Sequence, residues 1–206
     1  MISTRKSQKV IDFEEKNYSC LNLDLPRGAL QRLGLAFECV RPETDETALP
    51  GENPAATALR LSIAKAQNVA ARFPDVLVIG ADQVADHAGT AIGKPGTRDA
   101  ARAQLRMMRG QTLIFHSGLA LVNAAHARVQ STVVDTTVRY RTYSDTEIEN
   151  YLDREHAFDC AGSAKSEGLG IALVAAMQSD DPSALIGLPL IALIDMLHND
   201  NVDVLQ

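Results

Sequence analysis

Apolar and polar positions along the chain switch repeatedly between a helical and a strand period. Residues 26–34 (PRGALQRLG) place Pro near the start and Gly at the end of a short helix. Asn53 and Pro54 predict an N-cap and first-turn pair. Leu59, Ile63, Ala66, Ala70 and Phe73 then recur at helical spacing over about five turns. Residues 76–81 are a continuous apolar run after Pro74-Asp75, the mark of a strand covered on both faces. Residues 85–92, around His87-Ala88-Gly89, read as a hairpin or strand edge. Thr97 and Asp99 open a helix with Ala101, Leu105 and Met108 on one side and Gly110 as its stop. Residues 112–122 and 129–143 read as two long β-branched strands joined by a turn at 123–128. Ser144 and Glu147 form a capping box for a helix reaching about Arg154. A glycine-rich loop covers 160–170, a strand 171–177, and Pro189 opens a last apolar helix to about His198. With no repeat, low-complexity tract or linker, the pattern predicts one α/β domain on a mixed sheet.

Composition narrows the class. The 206 residues are 46% hydrophobic and 22% charged, which excludes collagen-like, disordered and disulfide-scaffold chains. Lys+Arg 20 against Asp+Glu 26 leaves a net charge of −6. Such a balance argues against nucleic-acid polymers and anionic membranes as partners, because both demand a basic surface. A nucleotide pocket needs only a few local cations and stays open. Cys20, Cys39 and Cys160 form no CxxC pair, which predicts a reducing, cytoplasmic setting. His87, His116, His126, His156 and His198 show no HExxH or HxxxH spacing, so no His/Cys zinc site is expected. The longest apolar runs, 169–177 and 184–194, are too short or too interrupted to span a bilayer. Residues 1–19 lack the apolar core of a signal peptide.

Two phosphate-loop look-alikes fail on spacing. GTAIGK at 89–94 has three residues between its glycines where a P-loop has four, and Pro95 stands in place of the metal-binding hydroxyl. Gly168-Leu169-Gly170 lacks the third glycine of a dinucleotide fingerprint. Asp82 ends the apolar run 76–81, at the mouth of a buried strand where carboxylates tend to face a ligand crevice; a turn-forming Asp fits the spacing equally well. Lys94, between Gly93 and Pro95, is a cation held by restricted backbone or simply a solvated loop lysine. Lys65 beside the apolar stripe reads locally as a snorkelling surface lysine, and Asp45-Glu46 after Pro42 as an acidic turn. The loop 159–170 (DCAGSAKSEGLG) brackets Lys165 and Glu167 with glycines, which permits close backbone approach to a ligand while presenting opposite charges. Residues 187–190 (GLPL) read as the anchor of a buried helix start.

Six blocks together resemble the Maf family of nucleoside triphosphate pyrophosphatases: 37–46 (FECVRPETDE), 59–66 (LRLSIAKA), 78–84 (VIGADQV), 93–95 (GKP), 161–171 (AGSAKSEGLGI) and 186–190 (IGLPL). They fall in order across roughly residues 27–200. Gln83 after the aspartate and the Lys165/Glu167 loop resemble the 7-methyl-GTP pyrophosphatase branch. The dTTP/UTP branch would show Thr and an Ile-Gln pair at those places. The resemblance implies a mixed β-sheet with flanking helices, two lobes around a central nucleotide cleft, and a single domain over 1–206. It implies hydrolysis of the α–β phosphate linkage to a monophosphate and pyrophosphate, with Mg²⁺ or Mn²⁺ as cofactor. Asp82 would be the catalytic carboxylate and, with Glu46, a metal ligand; Arg27, Lys65, Lys94 and Lys165 would bind phosphate. Glu167 and Gln83 would read the base, since 7-methylguanine is cationic and donates hydrogen bonds from N1 and N2. A homodimer is also implied.

The chain departs from the family at its start. The expected Ser-x-Ser-Pro-x-Arg-Arg turn falls on residues 21–27 (LNLDLPR), where only Arg27 survives. Asp24 would compete with phosphate at a helix N-terminus, and Leu25 replaces an aromatic that would stack on a cationic base. Residues 1–20 also lack the expected apolar first strand. The segment 1–25 therefore does not match the family, as expected of a diverged N-terminus, a shifted reading frame or a mis-chosen start. Two alternatives stay open: a pyrophosphatase of another base preference, or a catalytically impaired nucleotide-binding or cell-division regulatory protein.

Overall fold

A computed structural model describes residues 10–12 and 25–205, with side chains described from Ala29 onwards. The elements in chain order are β1 (Val10–Asp12), α1 (Leu25–Arg32), β2 (Phe37–Cys39), α2 (Pro54–Ala70), β3 (Leu77–His87), β4 (Thr90–Ile92), α3 (Arg98–Met108), β5 (Thr112–Asn123), β6 (Arg128–Tyr140), α4 (Asp145–Arg154), β7 (Val174–Ser179) and α5 (Leu190–Asn199). Helix starts follow the capping signals. Asn53 Oδ1 accepts from Ala56 N at 2.8 Å, Thr97 Oγ1 accepts from Ala100 N at 3.2 Å, and Ser144 and Glu147 make both bonds of a capping box. Ala88 (φ 53°) and Gly89 (φ 84°) supply the two left-handed residues of a tight hairpin between β3 and β4.

The strands build one mixed sheet in the order β2-β1-β3-β5-β6-β7, with β4 also on β3. The β2-β1-β3 part is parallel, and β3, β5, β6 and β7 are antiparallel. β3 is the pivot. β5 pairs with it along one edge from Leu77 to Asp86. On the other edge β1 meets only Leu77 and Val78, and β4 meets only Ala85, Asp86 and His87. Among the described residues no strand covers positions 79–84 on that side.

Alternation along β3 sends Val78, Gly80 and Asp82 to one face and Leu77, Ile79, Ala81, Gln83 and Ala85 to the other. α2 lies almost on the backbone of the first face. A Cβ on Gly80 would stand 2.3 Å from Ser62 O, and one on Gly118 would stand 2.2 Å from Ala58 O. The opposite face carries two apolar clusters. In one, Leu30, Leu188, Leu193 and Leu197 pack on Leu77, Ile79, Leu119 and Leu121. In the other, Leu105, Met108, Ile148 and Leu152 pack on Leu113, Phe115 and Val138.

Several expectations shift. β3 does not end before Asp82: Val84 and Ala85 continue the alternation and β5 pairs through Asp86, so Asp82 sits mid-strand opposite Gly118. The buried face of α2 is Ala58, Leu61, Ser62, Lys65, Ala66, Val69 and Ala70, while Phe73 is 38% exposed. The close approach at Gly80 and Gly118 demands small helix residues, which turns Ala58, Ser62 and Ala66 inward and leaves Leu59 and Ile63 half-buried at the flank, Ile63 still packing against the cluster around Val78. β7 begins at Val174 because residues Leu169–Leu173 are taken by a 3₁₀ turn. A strand does enter the sheet from the first 20 residues, Val10–Asp12, between β2 and β3. The rest of that segment, residues 1–9 and 13–24 with Asp24, lies outside the described residues, while the last three positions of the substituted turn, 25–27, begin α1.

Candidate active site

The first half of the site is on the α2 face. Lys65 projects from the buried side of α2 and is 3% exposed, so it is no snorkelling surface residue. Its Nζ donates to Asp82 Oδ1 at 2.6 Å and lies 2.9 Å from Glu46 Oε1. Burial raises the Asp82 carboxyl above its ordinary value of 3.8, while the Lys65 charge and hydrogen bond pull it back; Glu46 pushes it up further and Lys94 lowers it. Asp45 keeps the turn role, its Oδ1 accepting from Thr47 N at 2.9 Å. Glu46, 40% exposed, is the member of that acidic pair that joins the cluster.

The second half is a pocket of about 770 Å³ of atom-free space, its open mouth included, on the opposite face. Gln83, Lys94, Lys165, Glu167 and Cys160 line it beside apolar Phe115, Val138 and Tyr140. The Gln83 amide nitrogen donates towards Ser117 Oγ (3.0 Å), Ala184 O (3.0 Å) and Leu185 O (3.1 Å). Two carbonyls on that side fix the amide orientation and leave the Gln83 carbonyl oxygen as the group available to a ligand.

Lys94 is exposed, on a loop whose backbone is held. Gln104 Nε2 donates to Gly93 O at 2.9 Å, and Gly96 N donates to Phe158 O at 2.8 Å, so its segment is pinned at both ends. Lining the pocket while its charge acts on Asp82, Lys94 is within electrostatic reach of both halves. Lys165 is 6% exposed, its Nζ is 3.5 Å from Glu155 Oε1, and its backbone N–H donates to the Tyr151 hydroxyl at 3.2 Å. Glu167 is exposed at the pocket wall, and Ser166 Oγ donates to its Oε2 at 3.3 Å. Leu25 and Arg27 belong to α1, but their side chains lie outside the described residues.

The loop glycines correct one expectation: they admit the protein's own groups, not a ligand. A Cβ on Gly168 would stand 2.5 Å from Glu155 Oε2, and one on Gly170 would stand 2.4 Å from Lys165 O. Gly162 (φ 72°) turns against Met108 and Phe115. The residues that sequence reasoning missed are these supports. Gln104 joins Gly93 to Ser163, whose Oγ donates to Gln104 Oε1 at 2.7 Å, and Glu155 joins Lys165 to Leu169. No local pattern marks either one, because each partner is remote in sequence. The segment 187–190 has its expected role. Leu188 and Leu190 are buried, and Asp181 and Ser183 accept from the first backbone N–H groups of α5 (Ile191 N and Leu190 N, 2.7 and 2.8 Å).

Comparison with known proteins places this arrangement. The family described as Maf-like protein matches residues 27–200. A 7-methyl-GTP pyrophosphatase of Methylobacillus flagellatus is 55% identical over 179 residues, covering 87% of this chain and 93% of that protein. Proteins of the same name from Cupriavidus pinatubonensis (55% over 172 residues; 84% and 86% covered) and Thiobacillus denitrificans (52% over 179 residues; 87% and 89% covered) are also similar. The matched span begins at the first turn of α1 and contains every residue of both half-sites; the chain belongs to the Maf-like protein family.

Proposed function

We propose that this chain is a nucleotide pyrophosphatase that hydrolyses the α–β phosphoanhydride linkage of a nucleoside triphosphate, with 7-methyl-GTP as the preferred substrate. The observation that carries the reading is the ion pair of buried Lys65 with half-buried Asp82, beside a pocket lined by two further lysines and a glutamate. The similarity to proteins named for that activity supports it over most of the chain. Lys65 offsets the burial penalty on Asp82, so the carboxylate can stay ionised and accept a proton. Water attacks the α-phosphorus, its proton passes to Asp82, the bond to the bridging oxygen breaks, and pyrophosphate leaves. Lys94 and Lys165, with Arg27 by family resemblance, neutralise the phosphate charge.

A divalent ion fits the donor set. Among the described residues no three His, Cys, Asp or Glu side chains form a metal cluster, so an all-protein cage is not offered. Mg²⁺ and Mn²⁺ need only one or two carboxylates when phosphate oxygens complete the shell. Glu46 and Asp82 already converge on one cation, the Lys65 ammonium, and are the residues that would hold the ion. When bound, it supplies charge neutralisation and polarisation of the phosphoryl oxygen.

On the base side, Glu167 accepts from N1 and N2 of 7-methylguanine and balances its positive ring, while the Gln83 carbonyl oxygen takes another edge. A cytoplasmic homodimer completes the proposal, and sedimentation velocity reads the dimer directly. The central test is pyrophosphate release from 7-methyl-GTP, GTP, UTP and dTTP with Mg²⁺ or Mn²⁺. The wild-type chain should favour 7-methyl-GTP, and Asp82→Asn should lose at least about 100-fold in kcat, the low end of general-base contributions. Absence of release from every nucleotide, with binding retained, would replace this reading with the regulatory one.

A further inference from the structure

Glu155 stands at the C-terminal end of α4, outside the two half-sites, yet one carboxylate grips both sides of the base-reading loop. Its Oε1 is 3.5 Å from Lys165 Nζ, and its Oε2 accepts from Leu169 N at 2.9 Å. These contacts fall two residues before and two residues after Glu167. Gly168 lies against the same carboxylate, close enough that any Cβ there would collide with Oε2. The loop is further closed by Gly168 N donating to Lys165 O at 3.1 Å and Lys165 N donating to Tyr151 Oη at 3.2 Å. Tyr151 is one turn upstream of Glu155 on the same helix, so α4 presents two anchors to one short segment. Glu167 itself is exposed at the pocket wall, and its carboxylate accepts from its neighbour Ser166, so its placement comes from the backbone on either side.

We infer that Glu155 is the positioning residue for base selection: it fixes the backbone that aims Glu167 into the pocket and, with the same carboxylate, steadies Lys165. The inference rests on the proposed reading of Glu167 as a base contact, so it needs one measurement that needs no nucleotide. Hydrogen exchange of the Leu169 amide provides that measurement. In Glu155→Ala the amide loses a charged acceptor, and its exchange should accelerate at least about 10-fold, from the typical strength of such bonds. In Glu155→Gln a side-chain carbonyl can still accept, so exchange should stay within about 3-fold of wild type, a neutral acceptor being the weaker one.

The second measurement is the ratio of kcat/KM for 7-methyl-GTP to that for GTP, taken well below each variant's melting temperature. It should fall about 10-fold in Glu155→Ala and recover in Glu155→Gln. A residue that merely supports the fold would lower both substrates together and leave the ratio alone. Unchanged Leu169 exchange in Glu155→Ala overturns the anchor, whatever the enzyme hydrolyses. Accelerated exchange with an unchanged ratio overturns the link to base selection. A wild-type enzyme without any preference for 7-methyl-GTP refutes the functional reading and, with it, base selection as the purpose of the anchor; exchange then still decides the anchor itself. Failure of Glu155→Ala to fold moves both measurements to Glu155→Gln, where loss of the ratio despite protected Leu169 exchange would overturn the inference.

Discussion

Replacing Lys65 by Met keeps most of the side-chain length on the buried face of α2 and removes an ammonium bonded to both Asp82 and Glu46. Breaking a buried ion pair costs about 3–5 kcal/mol, because the surviving charge stays out of water. The Asp82 leg belongs in that range, with the carboxylate 11% exposed; the Glu46 leg is 40% exposed and adds little. Protonation of Asp82 limits the damage, so we expect about 3 kcal/mol in mildly alkaline buffer, or a melting temperature lower by about 6–12 °C. The loss carries a pH signature. Burial already holds the Asp82 carboxyl above 3.8, and removing Lys65 raises it further. A carboxyl whose folded value exceeds its unfolded value favours folding at low pH and loses that contribution as pH rises from 3.8 through the folded value. The gap between wild type and Lys65→Met should therefore be smallest near about pH 4 and full by about pH 8.

Urea unfolding of wild type, Lys65→Met, Asp82→Asn and the double variant measures each term. The uncompensated carboxylate is the source of the cost. The double variant should therefore be more stable than Lys65→Met alone at about pH 8 and show little difference from it near about pH 4. A double variant less stable than Lys65→Met at the higher pH would refute the reasoning, as would a gap independent of pH.

Three further outcomes follow from the packing and the charges. Gly118→Ala puts a Cβ 2.2 Å from the α2 backbone at Ala58 O, which cannot yield as a flexible side chain would; urea unfolding should show a loss of at least about 3 kcal/mol, the top of the overpacking range. Glu149 is held down to about 2 by hydrogen bonds from Arg102 and Arg98. Its contribution is present above its ordinary 4.5 and is lost as pH falls towards 2, so the stability gap between wild type and Glu149→Gln should shrink from about pH 5 downwards and close only near about pH 2. Glu167→Gln removes the charge opposite the cationic ring and should lower the 7-methyl-GTP to GTP ratio of kcat/KM about 10-fold, while a variant keeping the full preference rules that role out.

What the sequence showed was local chemistry. Asn53-Pro54, Thr97, Ser144 with Glu147, and the stops at Gly34 and Gly110 mark helix ends through bonds made within a few residues, and those ends appear where expected. What it hid depends on remote partners. The face of α2 is set by Gly80 and Gly118: Ala66 and Ala70 of the apolar stripe lie on it, but its centre is shifted towards Ala58, Ser62 and Lys65, which the stripe alone leaves looking like surface positions. Asp82 reads as a strand terminus because a carboxylate inside a buried run is costly, and the lysine that makes it tolerable comes from another element. Lys94, Lys165 and Glu167 could be singled out by type and glycine context. Gln104 and Glu155 could not, since nothing in their own helices distinguishes them from solvated side chains.

Asp82 and Gln83 are adjacent on β3, so their side chains point to opposite sides of the sheet. Asp82 meets Lys65 of α2 on one face, and Gln83 is held by Ser117 Oγ and the Ala184 and Leu185 carbonyls on the pocket side. One strand therefore carries a member of each half-site at consecutive positions, and a register slip of one residue would exchange the two faces and break both sets of bonds. Lys94, on the loop after β4, lines the pocket while its charge lowers the Asp82 carboxyl, because a Coulomb interaction acts through the thickness of a single strand and needs no opening in the sheet.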